Sequence, residues 1–404
     1  MQSFFFRRYI PFILLLAATL LPSMTVANDE KSNQIKVAVP IMSIAPDARS
    51  SGGGDMGVAT SPDANSQAWN AAKYPFMPQK MGVSLSYVPW LSHLVNDVNI
   101  AYLSYFYRVD DMQSVSAALR YFSLGNMAIV DEGGQPITDV RPYEFAVDAA
   151  YSRKFGNHFA GALTLRYIRS DLTGGYTDYG AGLVGGRGLS PANAFGADMA
   201  MYYQHEHLES NEYAIGLSIS NMGSKISYSE DADKYFMPAT LRLGGRYTFN
   251  IDEDNSFTAG VELSKLLVPT PPIRESQSKS TETPSPVVKG KNDYVSAIGG
   301  MVQSFYDAPY GFKEELSEIM VGLGAEYDYR QTFAARMGYF YDSPRKGNRN
   351  YLTFGAGIKY SHLSLDFSYI YSFTINNPLS NTIRVTLGID IGVQRDMNKR
   401  NTSN

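Results

Sequence analysis

The chain has 404 residues, a net charge of −4 and no cysteine. The absence of cysteine from the sequence excludes disulfides, thiolate metal sites and a lipoprotein anchor. The nearly balanced charge, without a basic block, argues against nucleic-acid binding.

Residues 1–27 have the pattern of a secretory signal peptide. Arg7 and Arg8 form its positive region, residues 10–21 its apolar region, and residues 25–27 a small-residue cleavage site. The mature chain is expected to start at the next residue. No other stretch has 18 consecutive apolar residues, so the sequence predicts no transmembrane helix.

Residues 28–79 lack strand-like alternation and are interrupted by prolines and by a glycine cluster that starts at Gly52. A short helix is expected between Asp63 and Tyr74, with Ser61 or Asp63 as its N-cap. We interpret the whole segment as a hatch that lies inside a barrel. Trp69 is expected to be partly buried in it.

Several hatch side chains are candidates for holding the segment in place. Asp47, Arg49 and Asp55 are expected to pair with charges of the barrel lumen, because a buried charge without a partner costs several kcal/mol. The candidate hatch residues are Asp47, Arg49, Gly52, Gly54, Asp55, Gly57, Asp63, Asn65, Trp69 and Asn70.

Residues 80–394 alternate apolar and polar side chains in about fourteen segments, and the last alternates from Ile383 to Gln394. Charges fall on the polar face of many segments. The pattern predicts an all-β fold, a 14-stranded antiparallel transmembrane β-barrel with an N-terminal hatch segment. The predicted strands are 80–89, 96–108, 113–124, 142–155, 158–170, 193–207, 211–222, 238–250, 255–267, 316–329, 331–342, 350–360, 362–374 and 381–394.

The predicted connections are alternately short and long, as in bacterial outer-membrane barrels with short periplasmic turns and long external loops. The even strand count predicts that both chain ends are periplasmic, with residues 395–404 as a periplasmic tail. Residues 268–315 form the longest predicted external loop. Its proline-rich part, 269–290, is expected to be mobile and dispensable, whereas the more apolar part, 294–316, is expected to dock on something.

The external loops are expected to carry partner binding, because binding residues concentrate on loops held by a rigid scaffold. Aromatic side chains in these loops are the candidates, since such residues dominate interface hot spots. The alternative is that they pack the loops together or lie in the outer aromatic girdle. The candidate partner-binding residues are Tyr176, Tyr179, Tyr228, Tyr235, Phe236, Phe305, Tyr306, Tyr310 and Phe312.

Motifs for chemistry are weak in this sequence. The glycine cluster ending at Gly57 matches a nucleotide-binding spacing but lacks the strand and helix that such a site needs. His205 and His207 lack a third metal ligand. A lipid hydrolase using His93 with Ser92 or Ser104 is an open alternative. We predict no catalytic residue, metal or cofactor.

Two segments carry a resemblance to a known family. Residues 44–76 are IAPDARSSGGGDMGVATSPDANSQAWNAAKYPF, and residues 305–319 are FYDAPYGFKEELSEI. Both resemble the PorV (LptO) family, outer-membrane barrels of the type IX secretion system. The family is distantly similar to FadL fatty-acid transporters, which share a fourteen-strand barrel and a hatch. The FadL motif Asn-Pro-Ala is replaced here by Asn70-Ala71-Ala72.

The resemblance implies a non-enzymatic protein of the Gram-negative outer membrane, in contact with its lipid and lipopolysaccharide. It implies binding of secreted cargo by its C-terminal signal domain after the cargo leaves the outer-membrane translocon. The cargo would then pass to a sortase-containing attachment complex. A FadL-like transporter of small hydrophobic molecules is the alternative, and it predicts an apolar pocket beside the hatch and a kinked strand that gives a lateral opening.

Overall fold

The computed structural model describes residues 32–91, 97–130, 133, 135–176, 190–205, 211–228, 234–275, 285–373 and 379–392. The predicted signal peptide, the predicted C-terminal tail, Tyr179, His93 and His207 lie outside these ranges. From Asn33 onward the chain forms one compact unit. In the described ranges, no helix is both long and apolar enough to span a bilayer.

Fourteen antiparallel strands close into a barrel. They are β1 (Met81–Pro89), β2 (Val98–Arg108), β3 (Gln113–Leu124), β6 (Tyr143–Lys154), β7 (Phe159–Asp171), β8 (Ala192–His205), β9 (Glu212–Gly223), β10 (Thr240–Asn250), β11 (Asn255–Leu266), β14 (Ile319–Tyr329), β15 (Phe333–Tyr341), β16 (Asn350–Tyr360), β17 (Leu363–Ser372) and β18 (Ile383–Ile391). The predicted fold class is confirmed, and every strand lies within three residues of its predicted bounds.

Each barrel strand pairs with its neighbours in the sequence of barrel strands, and β1 closes the barrel against β18. The two faces of each strand differ as the alternation predicts. On β18, Ile383 and Leu387 are 39% and 45% exposed on the outer face, whereas the intervening Arg384 and Thr386 are buried in the lumen. The outer face is therefore apolar and the inner face polar, which suits lipid outside.

The two barrel ends differ in their connections. At the short-turn end, β14 ends at Tyr329 and β15 begins at Phe333. At the opposite, long-loop end, residues 267–318 connect β11 to β14. In outer-membrane barrels, short turns face the periplasm and long loops face outward.

The long loops contain more structure than the sequence predicted. Two hairpins and two helices occur among their described residues, namely β4 (Met127–Val130) with β5 (Pro136–Val140), β12 (Ile273–Arg274) with β13 (Val287–Lys289), and the helices Ala297–Gln303 and Phe312–Leu316. The described flanks of the proline-rich segment contact the rest of the loop, and the mobility of the segment stays a prediction. Thr270 is fully buried, and its backbone N–H donates to Asp307 Oδ2 at 3.1 Å.

The hatch contains one short α-helix, Ala48–Gly52, and three 3₁₀ turns, Pro40–Ser43, Ser66–Ala68 and Ala71–Phe76. The single helix expected between Asp63 and Tyr74 is therefore wrong. Asn70 interrupts it, because its side chain accepts from the backbone N–H of Ala72 at 3.0 Å and starts a new turn. Asp63 caps no helix, since its Oδ1 accepts from the N–H of Asn65 in a local turn.

Candidate functional site

The hatch, residues 33–79, runs through the lumen from one barrel end to the other. At the long-loop end, the N–H of Asn33 donates to Arg345 O at 3.0 Å and that of Ala38 donates to Phe236 O at 2.8 Å. At the short-turn end, the N–H of Arg108 donates to Lys80 O at 2.8 Å. The expectation that the N-terminal end is periplasmic is therefore wrong, because the hatch carries the chain across the barrel before β1 begins.

Glycines on the inner wall let the hatch backbone lie directly on the strands. A Cβ atom at Gly338 would lie 2.1 Å from Gly54 N, and one at Gly324 would lie 2.3 Å from Gly53 O. Farther along the same run of neighbouring strands, a Cβ at Gly216 of β9 would lie 2.0 Å from Val58 O. We call this surface the glycine trough. Its wall residues are Gly216, Gly244, Gly322, Gly324, Gly338 and Gly355.

Polar wall residues fix the hatch backbone within the glycine trough. Glu262 accepts the N–H groups of Gly57 and Val58 at 2.8 and 2.9 Å. Thr353 Oγ1 donates to Gly52 O at 3.0 Å and accepts from Gly54 N at 2.9 Å. These four hatch backbone groups have wall side chains as partners, so this part of the hatch is anchored without forming a strand of its own.

Arg49 is the candidate hatch residue that pairs with a lumen charge. Its guanidinium lies 3.2 Å from Glu326 and 3.0 Å from Asp63, which is itself in the hatch. Arg336 extends the network, at 2.5 Å from Glu326 and 2.6 Å from Asp366. Alternating charges of this kind offset the desolvation that each would suffer alone.

Among the described residues, Asp47 and Asp55 do not make the ion pairs that were expected of them. Asp47 is buried, and its carboxylate accepts from Trp69 Nε1 at 2.7 Å and from Ser50 N at 2.8 Å. Asp47 is the N-cap of the short helix, so its oxygens are already occupied. Asp55 instead accepts from the Tyr351 hydroxyl at 2.5 Å. Trp69 is more deeply buried than expected, at 7% exposure.

Asn65 and Asn70 are the two remaining polar candidates, and each contacts a residue of the barrel wall. Asn65 is buried beside Ser104, whose Oγ lies 3.4 Å from Asn65 Oδ1. Asn70 Nδ2 donates to Val58 O and to Met201 O, both at 2.9 Å. Sequence reasoning missed the wall partners of all these residues, since contacts between positions hundreds of residues apart leave no local pattern.

Lys73 is a buried hatch cation that the sequence did not single out. Its Nζ donates to Gly57 O at 2.8 Å and to Thr60 Oγ1 at 3.0 Å. Burial lowers the pKa of this amine to about 8, although the charge of Asp63 acts in the opposite direction. Lys73 therefore connects the last 3₁₀ turn of the hatch to residues 57–60 through hydrogen bonds to neutral acceptors.

The candidate partner-binding aromatics divide into two groups. Phe305, Tyr306, Tyr310 and Phe312 are 52%, 54%, 52% and 74% exposed, and Tyr235 is 46% exposed. The others pack inward. Tyr228 is half-buried and donates to Ser170 Oγ at 3.0 Å; Phe236 is half-buried under Lys225 Nζ, 3.9 Å from the ring centre; and Tyr176 is half-buried.

Aliphatic residues of the same loop extend this exposed surface, and the sequence analysis missed them. Ile298 and Val302, in the Ala297–Gln303 helix, are 76% and 58% exposed, and Leu316 is 51% exposed. The spacing of the first two is that of one helix face, a signal that was available in the sequence. We call the surface formed by residues 298, 302, 305, 306, 310, 312 and 316 the loop patch.

A buried ionic cluster anchors the base of this loop to the barrel. Lys346 Nζ lies 2.7 Å from Glu314 and 2.8 Å from Glu318. Lys265 of β11 pairs with Glu318 and lies 3.3 Å from Glu315. The loop patch is therefore presented on a fixed base, which lowers the entropy lost when a partner binds.

Two cavities lie on opposite sides of the hatch. The long-loop cavity has a volume of about 410 Å³, with apolar walls that include Ile35, Phe122 and Ile370 and polar walls that include Arg349. The short-turn cavity, of about 220 Å³, is lined by the Arg49 network. The pocket expected for a transporter thus has a counterpart, although its lining is mixed in polarity.

The kinked strand expected for a transporter also has a partial counterpart. The β8–β9 ladder shifts register between Ala197 and Met199. Asn221, at φ 60°, faces this irregularity and donates its N–H to Asp198 Oδ1 at 2.7 Å.

The structure adds no support for the metal site or the lipid hydrolase site that the sequence left open. Ser104 is fully buried, and its Oγ donates to Ala64 O at 2.8 Å. The rings of His158 and His205 lie 5.1 Å apart. Over the part of the chain that is described, no group of three metal-ligating side chains occurs.

The sequence matches one family model, described as "Type IX secretion system protein PorV", over residues 26–273. No curated protein matches. Similar solved structures include the toluene transporter TbuX of Ralstonia pickettii, at 12% identity and TM-score 0.48, covering 85% of this chain and 98% of that one. A FadL homologue of Pseudomonas aeruginosa is 9% identical, with TM-score 0.45 and coverages of 89% and 100%.

Proposed function

Because the chain belongs to the PorV family of type IX secretion system proteins, we propose that it binds the C-terminal signal domain of secreted cargo at the long-loop end. Cargo that has left the outer-membrane translocon is held there and delivered to the sortase-containing attachment complex. The proposed role is non-enzymatic. The loop patch is the observation that carries the proposal.

The loop patch has the chemistry of a protein-binding surface. Its seven members are large apolar or aromatic residues, each at least half exposed, on a loop fixed by buried ion pairs. A concentration of exposed apolar side chains within 19 residues of one loop is costly in water and usually marks an interaction site. Lys291 Nζ lies 3.8 Å from the ring centre of Tyr306, which adds a cation to the apolar surface.

The filled lumen supports a surface role over passage through the barrel. The hatch occupies the glycine trough and is hydrogen-bonded to the wall by Glu262 and Thr353. A folded cargo protein is far larger than the 410 Å³ cavity. Cargo would therefore be bound outside the barrel, at the loops.

The test is a chromosomal variant in which Phe305, Tyr306 and Phe312 are all changed to Ala. Loss of three hot-spot side chains should cost about 2 kcal/mol or more, which is more than tenfold in affinity. Surface-attached cargo should fall accordingly, while the barrel assembles normally. Phe155→Ala is the matched control, because Phe155 is 65% exposed but lies at the short-turn end. Normal cargo attachment in the triple variant would contradict the proposal.

A second candidate function is transport of small hydrophobic molecules, and the long-loop cavity is the observation in its favour. Ile370→Trp would fill part of that cavity from β17. If the protein is a transporter, this variant should lose uptake of hydrophobic molecules. If it is a secretion protein, the variant should attach cargo at the normal level and grow normally on substrates that need secreted proteins.

A further inference from the structure

The first described residues of the hatch form a strap across the long-loop end. Exposure alternates along residues 33–37, with Gln34 and Lys36 exposed and Ile35 and Val37 half-buried against the long-loop cavity. Such alternation is that of a strand with one face covered. Backbone hydrogen bonds hold the strap near both ends, from Asn33 N to Arg345 O and from Ala38 N to Phe236 O.

Between these two points the strap backbone is unpaired. Across the described ranges, the N–H and C=O groups of residues 34–37 make no backbone hydrogen bond. Every barrel strand, by contrast, is paired on both edges. The strap is thus an edge held in place at both ends, the kind of edge to which another chain adds a strand.

The strap is continuous with the loop patch. Asn33 Nδ2 donates to Glu314 Oε1 at 3.1 Å and to Pro271 O at 3.2 Å. The other oxygen of Glu314 accepts from the N–H of Tyr310 at 2.9 Å. The carboxylate of Glu314 therefore contacts both the strap and the loop patch. A polypeptide that covers the aromatic side chains of the loop patch would lie next to the strap.

We propose that residues 34–37 are a strand-addition site at the cell surface, to which an extended segment of the cargo signal domain pairs. The occupant is a polypeptide, because only a second backbone presents N–H and C=O groups at the spacing of the strap. The assignment of the occupant rests on the proposed function. The position of the strap rests on the hatch path alone.

The position is tested by labelling, since the natural sequence has no cysteine. A single Lys36→Cys variant should react with a membrane-impermeant maleimide on intact cells. Asp111→Cys, in the turn between β2 and β3 at the short-turn end, is the control and should react only after the outer membrane is permeabilised. Labelling of Asp111→Cys but not of Lys36→Cys on intact cells would overturn the proposal.

The pairing is tested with the purified full-length protein in nanodiscs and an isolated cargo signal domain as the probe. Proline removes one N–H, and successive N–H groups in a strand point to opposite edges. One of Ile35→Pro and Lys36→Pro should therefore weaken binding about tenfold, and the other should change it about twofold or less. Ile35→Val and Lys36→Ala keep the backbone and should leave binding within about twofold.

The outcomes separate the two proposals. Binding to the unmodified protein that neither proline weakens, or that both weaken equally, overturns strand addition and leaves the loop-patch role standing. Failure of the unmodified protein to bind the signal domain overturns the proposed function, and with it this occupant. Unequal losses from the two prolines, with unchanged binding in Ile35→Val and Lys36→Ala, support strand addition.

Discussion

Replacement of one wall glycine should loosen the hatch without altering the barrel sheet. In Gly338→Ala, the new Cβ would lie 2.1 Å from Gly54 N and 2.4 Å from the carbonyl carbon of Gly53. Backbone atoms cannot rotate away as a flexible side chain would. The hatch backbone must therefore move off the wall by roughly an ångström or more to restore normal contact distances of about 3.5 Å.

The cost follows from the contacts that such a shift disturbs. Overpacking of this kind costs about 1–3 kcal/mol. The two hydrogen bonds that Thr353 Oγ1 makes with Gly52 and Gly54, at 3.0 and 2.9 Å, would lengthen or break. If both bonds are lost at about 1 kcal/mol each, the expected loss is about 3–5 kcal/mol of unfolding free energy.

Urea unfolding of the purified barrel in detergent measures this loss. Gly245→Ala is the matched control, because its Cβ would have Ala214 O as its nearest neighbour, at an ordinary 3.7 Å. The control should lie within about 0.5 kcal/mol of the unmodified protein. A loss of less than 0.5 kcal/mol in Gly338→Ala, on the scale of ordinary surface substitutions, would refute the reasoning that the hatch is packed by backbone contact.

The barrel should resist SDS at room temperature and shift in mobility on boiling, and an unshifted band would contradict a closed strand network. Trp69 fluorescence, read in a Trp90→Phe background, should be poorly quenched by acrylamide, since the indole is buried; full quenching would contradict its packing. Arg49→Ala should lower the unfolding free energy by about 2–3 kcal/mol, and the loss should shrink in a Glu326→Gln background if the pair is coupled. Because the pKa of Lys73 is lowered to about 8 in the folded state, the unfolded chain binds more protons above that pH. Stability relative to Lys73→Met should therefore rise between about pH 8 and 10.5, and a flat difference would count against the charged amine being the cause.

The barrel could be predicted from the sequence because its signal is local. Alternation along β18, from Ile383 to Ile391, specifies strand, face and lipid contact within nine residues. A one-residue shift would place Arg384 in lipid, so the pattern also fixes which face is inside. The connections followed from turn lengths at the two ends.

The hatch could be predicted only as a segment, because its structure depends on distant partners. Ala48 N bonds to Thr386 Oγ1 at 2.9 Å across 338 positions, and Gly57 bonds to Glu262. Composition showed that the segment was not a strand but contained no information on its path. The same limit explains Asp47, since charge alone suggested an ion pair and only the fold showed a helix cap.

The loop patch could be predicted less fully than the barrel and more fully than the hatch. The aromatic residues could be identified from composition, but their exposure could not, because Phe236 and Phe305 differ only in what packs over them. Phe236 lies beneath Lys225, whereas Phe305 is 52% exposed.

The closing pair of strands imposes an order on assembly. Every barrel pairing except one joins strands that are consecutive among the fourteen barrel strands, and only β1 with β18 joins the first to the last. The glycine trough receives the hatch backbone from inside, and side chains cross the lumen on both sides of it. Once Met81 has paired with Ile391 and the barrel is closed, a hatch still outside the barrel could reach the glycine trough only by threading through one end of the barrel. Enclosing the hatch before the seam forms avoids that threading, and the hatch would then serve as a template against which β1 and β18 pair.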